Sequence, residues 1–148
     1  ILDGLGLVAA IEWQANEFQS RTGIPCVVTS TVPDTQWDQE FITVFFRIFQ
    51  ETLTNVIRHA QATRVDVRLA EENGALALTV ADNGRGISEE EVANTRSIGL
   101  VGMRERAMLI GGEVTLHGAR GQGTTVTVRV PLDRPRVART FPGLPPLP

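Results

Sequence analysis

Apolar and polar residues along the chain alternate between helical and strand periodicities, which predicts an α/β organisation. Apolar residues at helical spacing over residues 2–21 predict a first helix, which Thr22 and Gly23 would end. Asp38 is predicted to be the N-cap of a second, long helix that runs to about Ala60.

Five further segments have the short, β-rich pattern of strands, and glycine turns connect them. Asn73-Gly74 and Gly121-Gln122-Gly123 are typical of hairpin turns. A third helix is predicted between the third and fourth strands. The strands are predicted over residues 25–32, 64–70, 75–81, 113–117 and 124–130, and the helix over residues 99–110.

Two remaining segments carry little apolar content. Residues 88–97 are acidic and polar, which predicts a mobile loop. The chain becomes proline-rich after Pro131, which predicts a disordered tail over residues 133–148 and one folded domain over residues 1–132. Because the sequence starts at Ile1 without a methionine, we expect it to be a fragment of a longer protein.

Composition narrows the possible functions. The 148 residues are 42% hydrophobic, which suits one domain with a core, and no apolar run approaches the roughly 20 residues of a membrane span. The net charge of −3 argues against broad nucleic-acid affinity, which needs clustered cations. Cys26 is the only cysteine, which excludes an internal disulfide and a cysteine-based zinc site, and we expect a cytoplasmic location.

Asp82 is the first candidate functional residue, because it continues the apolar face of a predicted strand. Side chains alternate along a strand, so Asp82 shares a face with Leu76, Leu78 and Val80. A carboxylate that faces a core is costly unless it is hydrogen-bonded. Two glycines follow within four residues and are expected to leave room for a ligand. The pattern predicts a buried acid that accepts a hydrogen bond from the polar edge of a ligand.

A second constellation lies on the long helix. At 100° per residue, four polar side chains share an arc beside an apolar arc that ends in Ile57, and they are Glu51, Asn55, Arg58 and His59. Asn55 is a candidate Mg²⁺ ligand, Arg58 a candidate partner of phosphate oxygens, and Glu51 a candidate base or holder of a metal-bound water. The alternative is that these side chains only complete a solvated helix face. His117 is interpreted as a structural or surface residue.

Two glycine-rich segments are candidates for backbone contacts to phosphate. Residues 99–102 (Gly-Leu-Val-Gly) precede a predicted helix, whose free N–H groups and positive dipole end favour phosphate oxygens. Residues 121–125 (Gly-Gln-Gly-Thr-Thr) form either a second close-approach turn or simply a hairpin. Neither segment matches the phosphate-loop or dinucleotide patterns, so nucleotide binding here requires a different architecture.

Four motifs therefore follow one another along the chain. They are Glu51-x-x-x-Asn55-x-x-Arg58-His59-Ala60, Asp82-x-Gly84-x-Gly86, Gly99-Leu100-x-Gly102-Met103-Arg104-Glu105-Arg106 and Gly121-x-Gly123-Thr124. In this order they resemble the catalytic ATP-binding domain of a sensor histidine kinase, from the superfamily of gyrase, heat-shock chaperone and mismatch-repair ATPases. The opening segment 2–7 and the Gly-Met-Arg-Glu-Arg run resemble the nitrate-sensor-type subfamily. The resemblance covers about residues 1–132.

The resemblance implies an α+β sandwich of the Bergerat type, in which a mixed sheet is covered on one face by helices and ATP lies between the layers. It implies that Asp82 accepts the adenine amino group, that Asn55 ligates Mg²⁺, and that residues 88–98 form a lid over ATP. The other implied contacts are the phosphate end (Glu51, Arg58, His59), the adenine border (Gly84, Gly86, Ile87), the end of the lid (Gly99, Leu100, Gly102, Met103) and the floor (Gly123, Thr124, Thr125).

The implied activity is transfer of the ATP γ-phosphoryl group to a histidine on a separate upstream domain, for relay to an aspartate of a helix-turn-helix response regulator. Residues 1–22 would lead from that dimerisation and phosphotransfer domain, and the full-length protein is expected to be a homodimer. Neither His59 nor His117 is expected to be the acceptor, whereas Glu51, Asn55 and His59 are the candidate catalytic residues. The alternatives are an anti-sigma-factor serine kinase, an ATP-driven conformational switch and a binding-only module.

Overall fold

A computed structural model describes residues 6–32, 37–88, 90 and 99–132 of the chain. Within these residues a five-stranded sheet packs against three α-helices. The helices are α1 (Leu7–Thr22), α2 (Gln39–Asn55) and α3 (Leu100–Met108), and the strands are β1 (Cys26–Ser30), β2 (Val65–Glu72), β3 (Ala75–Asp82), β4 (Glu113–Gly118) and β5 (Thr124–Pro131).

The sheet is mixed, with the strand order β1-β2-β3-β5-β4. β1 runs parallel to β2, and the other three neighbouring pairs are antiparallel. This arrangement confirms the expected fold class. β3 is the central strand, and its last residue, Asp82, pairs with Val65 on one side and Thr124 on the other. Asp82 therefore lies in the middle of one end of the sheet.

The core lies between the helices and the sheet, and aromatic side chains of α2 fill much of it. Phe41, Phe45 and Phe49 are each at most 1% exposed, which leaves them fully inside the core. Trp37 stacks on Phe41 with 4.8 Å between ring centroids, just before α2 begins. Trp13 of α1 packs against the same core, next to Phe46.

The beginning of α2 follows the sequence prediction, and its end does not. The Asp38 carboxylate accepts a hydrogen bond of 2.9 Å from the N–H of Phe41, which confirms the predicted N-cap. The α-helix ends at Asn55 and continues as one π-helical turn, Val56–Ala60, which we call the π turn. The π turn is wider than an α-turn, so the 100° spacing fails there, and Ile57, which that spacing placed on the apolar arc, is 59% exposed.

The predicted hairpin turn between β2 and β3 is confirmed. Asn73 and Gly74 both have positive φ angles, 51° and 74°, as a two-residue type I′ turn requires. The helix predicted over residues 2–21 begins at Leu7 among the described residues. The predicted tail over residues 133–148 and most of the predicted loop over residues 88–97 lie outside the described residues. No helix among the described residues is long and apolar enough to span a membrane.

Candidate functional site

Asp82 lines a cavity between the end of the sheet and the end of α2, which we call the Asp82 cavity. Its side chain is half-buried, and its Oδ1 accepts a hydrogen bond of 2.8 Å from the N–H of Gly84. Burial raises the pKa of the Asp82 carboxyl, and backbone hydrogen bonds from Gly84 and Thr124 partly oppose that rise. The carboxylate is therefore oriented by the backbone and lies at the wall of a partly open cavity.

The apolar part of the cavity is made by both layers of the fold. β3 and β5 contribute one wall, and the π turn with the segments after β3 and in β4 contributes the rest. A space with apolar walls and a single oriented carboxylate suits a flat heteroaromatic ring that carries a hydrogen-bond donor on one edge. The apolar side chains that line it are Val56, Ala60, Val80, Ile87, Leu116 and Val126.

The polar part of the cavity comes from α2 and the π turn. Asn55 and His59 both line it, together with Thr52 one turn earlier. The His59 Nε2 atom is buried and has no hydrogen-bond partner among the described residues. A buried nitrogen in that state is costly, and it indicates that a ligand or water normally pairs with it. The Thr52 hydroxyl is already engaged, since it donates to the carbonyl oxygen of Ile48 at 2.9 Å.

The loop that follows Asp82 is held tightly to its neighbours, and this is why it contains glycine. A Cβ atom on Gly84 would lie 2.0 Å from the carbonyl oxygen of Ala60. Gly86 has a φ of +79°, and a Cβ atom there would lie 2.0 Å from the carbonyl oxygen of Ala119. The sequence suggested that these glycines leave room for a ligand. The structure shows instead that neighbouring backbone occupies the room at both positions, although Gly86 also lines the Asp82 cavity.

Glu51 lies at a different place from the cavity-lining residues of α2. It lines a cleft on the outer side of the helices, which we call the Glu51 cleft, together with Gly99 and Gly102 at the beginning of α3. A Cβ atom on Gly99 would lie 2.5 Å from the Glu51 Oε1 atom, so the carboxylate lies directly against this glycine. The N-cap of α3 is Gly99, which has no side chain that could cap the helix. Arg21, Arg47 and Arg106 also line the cleft.

Several residues named from the sequence do not line either space. Arg58 is exposed on the π turn and lines neither the Asp82 cavity nor the Glu51 cleft. Leu100 and Met103 are buried in the core, where the Met103 sulfur contacts the Thr52 hydroxyl at 3.8 Å. Thr125 alternates with Thr124 along β5 and so faces the other side of the sheet.

Two residues of the expected floor lie next to Asp82. Thr124 lines the Asp82 cavity and pairs with Asp82 in the sheet. Gly123 lies against the same residue, since a Cβ atom there would be 2.0 Å from the Asp82 carbonyl oxygen. His117 is exposed on β4, as expected for a surface residue.

The sequence prediction did not name seven of the residues that line the Asp82 cavity as site residues: Thr52, Val56, Ala60, Val80, Arg85, Leu116 and Val126. Val126 could have been predicted from the sequence, because it is in phase with Thr124 along the predicted strand. Arg85 carried no such signal. Its Nε donates to the carbonyl oxygen of His59, a contact between segments 26 residues apart in the sequence.

The donor set argues against a metal held by protein side chains alone. Among the described residues, no group of three or more His, Cys, Asp and Glu side chains is placed to hold a metal ion. An amide oxygen from Asn55 and few carboxylates nearby fit a cation that keeps several waters and is shared with phosphate oxygens, as Mg²⁺ commonly is.

Comparisons with known proteins agree with this geometry. Residues 42–134 match the family model described as histidine kinase-, DNA gyrase B-, and HSP90-like ATPase. The chain is 37% identical over 131 residues to the sensor histidine kinase LiaS of Bacillus subtilis (strain 168), a match covering 88% of this chain and 36% of that protein.

Solved structures of similar fold include the Erythrobacter litoralis EL346 blue-light activated histidine kinase, with a TM-score of 0.74, 28% identity, and coverage of 86% of this chain and 42% of that one. The histidine kinase domain of the same protein matches with a TM-score of 0.70 and 26% identity, over 86% of this chain and 62% of that one. The chain thus spans about a third of the length of the curated relative.

Proposed function

Because the chain belongs to the family of histidine kinase-, DNA gyrase B- and HSP90-like ATPases, we propose that it is the ATP-binding catalytic domain of a two-component sensor histidine kinase. The observation that carries this proposal is the half-buried Asp82 carboxylate at the wall of a cavity that apolar side chains of the sheet and of the π turn also line. The similarity to sensor histidine kinases favours a histidine kinase over the serine kinase and the conformational switch.

The adenine ring is assigned to the Asp82 cavity. Asp82 accepts a hydrogen bond from the exocyclic amino group, and its orientation is fixed by the N–H of Gly84 before the ligand arrives. Val80, Ile87 and Val126 contact the faces of the ring. A fixed acceptor inside an apolar slot favours a base with an amino group at that position over one with a carbonyl group, because the latter would leave the carboxylate unpaired.

The phosphates are assigned to the region where the polar side of α2 meets the beginning of α3. Asn55 and His59 line the adjoining part of the cavity. Glu51, one turn before Asn55 on α2, lies against Gly99 at the beginning of α3. The uncapped N–H groups at the start of α3 favour phosphate oxygens. Mg²⁺, when bound, would neutralise phosphate charge, with Asn55 as its protein ligand. Positioning and charge neutralisation are the main protein contributions to phosphoryl transfer.

The acceptor of the phosphoryl group is assigned to another domain of the parent protein. The His59 side chain lines the Asp82 cavity, and His117 lies on strand β4, so neither is an exposed histidine on a helix. The phosphoacceptor histidine then belongs to a dimerisation and phosphotransfer domain, and the final acceptor is an aspartate of a response regulator, of the helix-turn-helix type if the nitrate-sensor resemblance holds.

The experiment that tests this proposal combines binding with phosphorylation. The 148-residue chain should bind ATP by calorimetry, more tightly with Mg²⁺ than with a chelator, and should bind GTP much more weakly because of Asp82. It should acquire no acid-labile phosphate from radiolabelled ATP when incubated alone. Absence of ATP binding, or phosphohistidine on this chain alone, would refute the assignment.

A further inference from the structure

We propose that Asn83 is a positioning residue, which fastens the loop after β3 to the connection between the π turn and β2 and so fixes Asp82 relative to His59. The inference rests on the proposed function, because the Asp82 cavity is the site that Asn83 would position.

The Asn83 side chain makes three hydrogen bonds to that connection. Its Oδ1 accepts from the N–H of Thr63 at 2.9 Å and from the N–H of Arg64 at 3.0 Å. Its Nδ2 donates to the Thr63 hydroxyl at 2.9 Å. Its backbone N–H donates to the carbonyl oxygen of Arg64 at 3.3 Å. Asn83 is therefore hydrogen-bonded to both backbone polar groups of Arg64 and to the backbone N–H and the hydroxyl of Thr63.

The connection that Asn83 holds, residues 61–64, has little structure of its own. It begins with Gln61 in a left-handed conformation, with a φ of 53°, and it belongs to neither the π turn nor β2. A second attachment lies two residues later in the loop, where the N–H of Arg85 donates to the carbonyl oxygen of Ala60, the last residue of the π turn, at 2.7 Å. The loop and the connection therefore run side by side, with Asp82 at one end and the π turn at the other.

Because Asn83 and its partners are exposed, removing the Asn83 side chain should affect ligand binding and the stability of the fold to different extents. Asn83, Thr63 and Arg64 are all exposed, so water can replace each hydrogen bond when the side chain is removed, and the net loss of stability is small. Water cannot hold the two segments at a fixed spacing. Removing the Asn83 amide should therefore weaken ligand binding more than it weakens the fold.

The test compares Asn83→Ala with Val130→Ala, a truncation of a fully buried side chain in β5, near the opposite end of the sheet from Asp82. Calorimetry with Mg-ATP and urea unfolding without nucleotide are measured on the full 148-residue chain. Asn83→Ala should lose about tenfold in ATP affinity, as two or three lost hydrogen bonds allow, with a small change in unfolding. Val130→Ala should unfold more easily and change ATP affinity less than about twofold.

A rescue variant makes the readout specific. Asn83→Asp keeps oxygen acceptors for the N–H groups of Thr63 and Arg64, and the Thr63 hydroxyl can rotate to donate to the carboxylate. Adenosine is the probe for this variant, because it carries no charge that the new carboxylate would repel. Amide hydrogen exchange of Thr63 and Arg64 should be slow in wild type and Asn83→Asp and fast in Asn83→Ala, and adenosine affinity should follow the same order.

The outcomes are distinct. If wild type binds ATP and Asn83→Ala binds it as tightly as Val130→Ala does, the positioning role is wrong and the proposed function stands. If wild type does not bind ATP, both fall. If Asn83→Ala does not fold, Thr63→Val decides the matter, because it removes one of the three side-chain hydrogen bonds. We then expect the ATP affinity of Thr63→Val to be about two- to threefold weaker than that of wild type, the lower end of the effect of one hydrogen bond. An unchanged ATP affinity would overturn the positioning role of Asn83.

Discussion

The backbone N–H of Arg85 donates a hydrogen bond to the carbonyl oxygen of Ala60 at 2.7 Å, which joins the loop after β3 to the end of the π turn. Both residues line the Asp82 cavity, so this contact fixes a part of its wall. It also satisfies a carbonyl group at the end of a helix, where no further turn is available to do so. The geometry of the cavity thus depends on how a helix ends.

Replacing Asp82 with Asn should weaken ATP binding by at least about tenfold, because a charged acceptor forms a stronger hydrogen bond than an amide oxygen. The amide NH2 group of Asn can also face the amino group of adenine, and two hydrogen-bond donors in that position repel each other. Calorimetric titration with ATP measures the effect. Glu72→Gln is the matched control, since Glu72 is exposed at the far end of β2, where it pairs with Arg68. Equal affinities of the two variants would remove Asp82 from the site.

The same substitution should have a pH-dependent effect on stability without ligand. Burial raises the pKa of Asp82 above its ordinary value of 3.8, so the folded protein holds this proton at a pH where the unfolded chain releases it. The ionised carboxylate therefore costs stability above the raised pKa, and the cost disappears as the pH falls below it. Asp82→Asn should be more stable than wild type at pH 7.

This advantage of Asp82→Asn should shrink towards pH 4, when both proteins are unfolded with urea at each pH. Other titrating groups are common to the two proteins and cancel in the difference. An advantage of the same size at both pH values, or wild type being the more stable at pH 7, would contradict the burial of this carboxylate.

Gly84→Ala should destabilise the chain by about 1–3 kcal/mol, as overpacking does, because the new Cβ would overlap the Ala60 carbonyl oxygen and backbone would have to move. It should also abolish most ATP binding, since the loop carries Asp82. Gly102→Ala is the control for stability: a Cβ atom there has no atom within 4 Å, and Ala favours a helix by up to about 1 kcal/mol over Gly. Similar unfolding midpoints for both variants would rule out the close approach at Gly84.

Asn55→Ala should remove the part of ATP affinity that depends on Mg²⁺ and leave the part measured with a chelator nearly unchanged. The reason is that Asn55 is the proposed protein ligand of a cation shared with phosphate oxygens. Parallel titrations with and without Mg²⁺ measure the difference. Asn16→Ala, at an exposed position of α1, is the control. An equal loss of affinity in both buffers would assign Asn55 to the nucleotide and not to the metal.

Local signals in the sequence were enough for much of the fold. The Asp38 cap and the Asn73-Gly74 turn are determined by residues within a few positions of each other, and both were predicted correctly. The phase of Asp82 with Leu76, Leu78 and Val80 likewise follows from strand geometry alone, and it placed the carboxylate beside the cavity.

The contacts that shape the site could not be predicted from local sequence signals. The change from α- to π-helical geometry after Asn55 occurs beside segments that are distant in sequence, such as the loop containing Arg85. A helical wheel cannot represent that change, so Ile57 was assigned to the core and Arg58 was grouped with Asn55. The close approach of Ala60 to Gly84 is equally non-local. For that reason the sequence analysis predicted that the glycines leave room for a ligand, and the contact with neighbouring backbone was not foreseen.

The placement of the two tryptophans has a practical consequence. Trp13 and Trp37 pack on Phe46 and Phe41 in the helical layer, and neither lines the Asp82 cavity. With no tyrosine in the chain, intrinsic fluorescence excited near the red edge of protein absorption comes from these two indoles. The optical signal should therefore follow loss of the native state and stay nearly silent to occupancy by a purine, so each variant can be judged for foldedness and for binding with independent readouts.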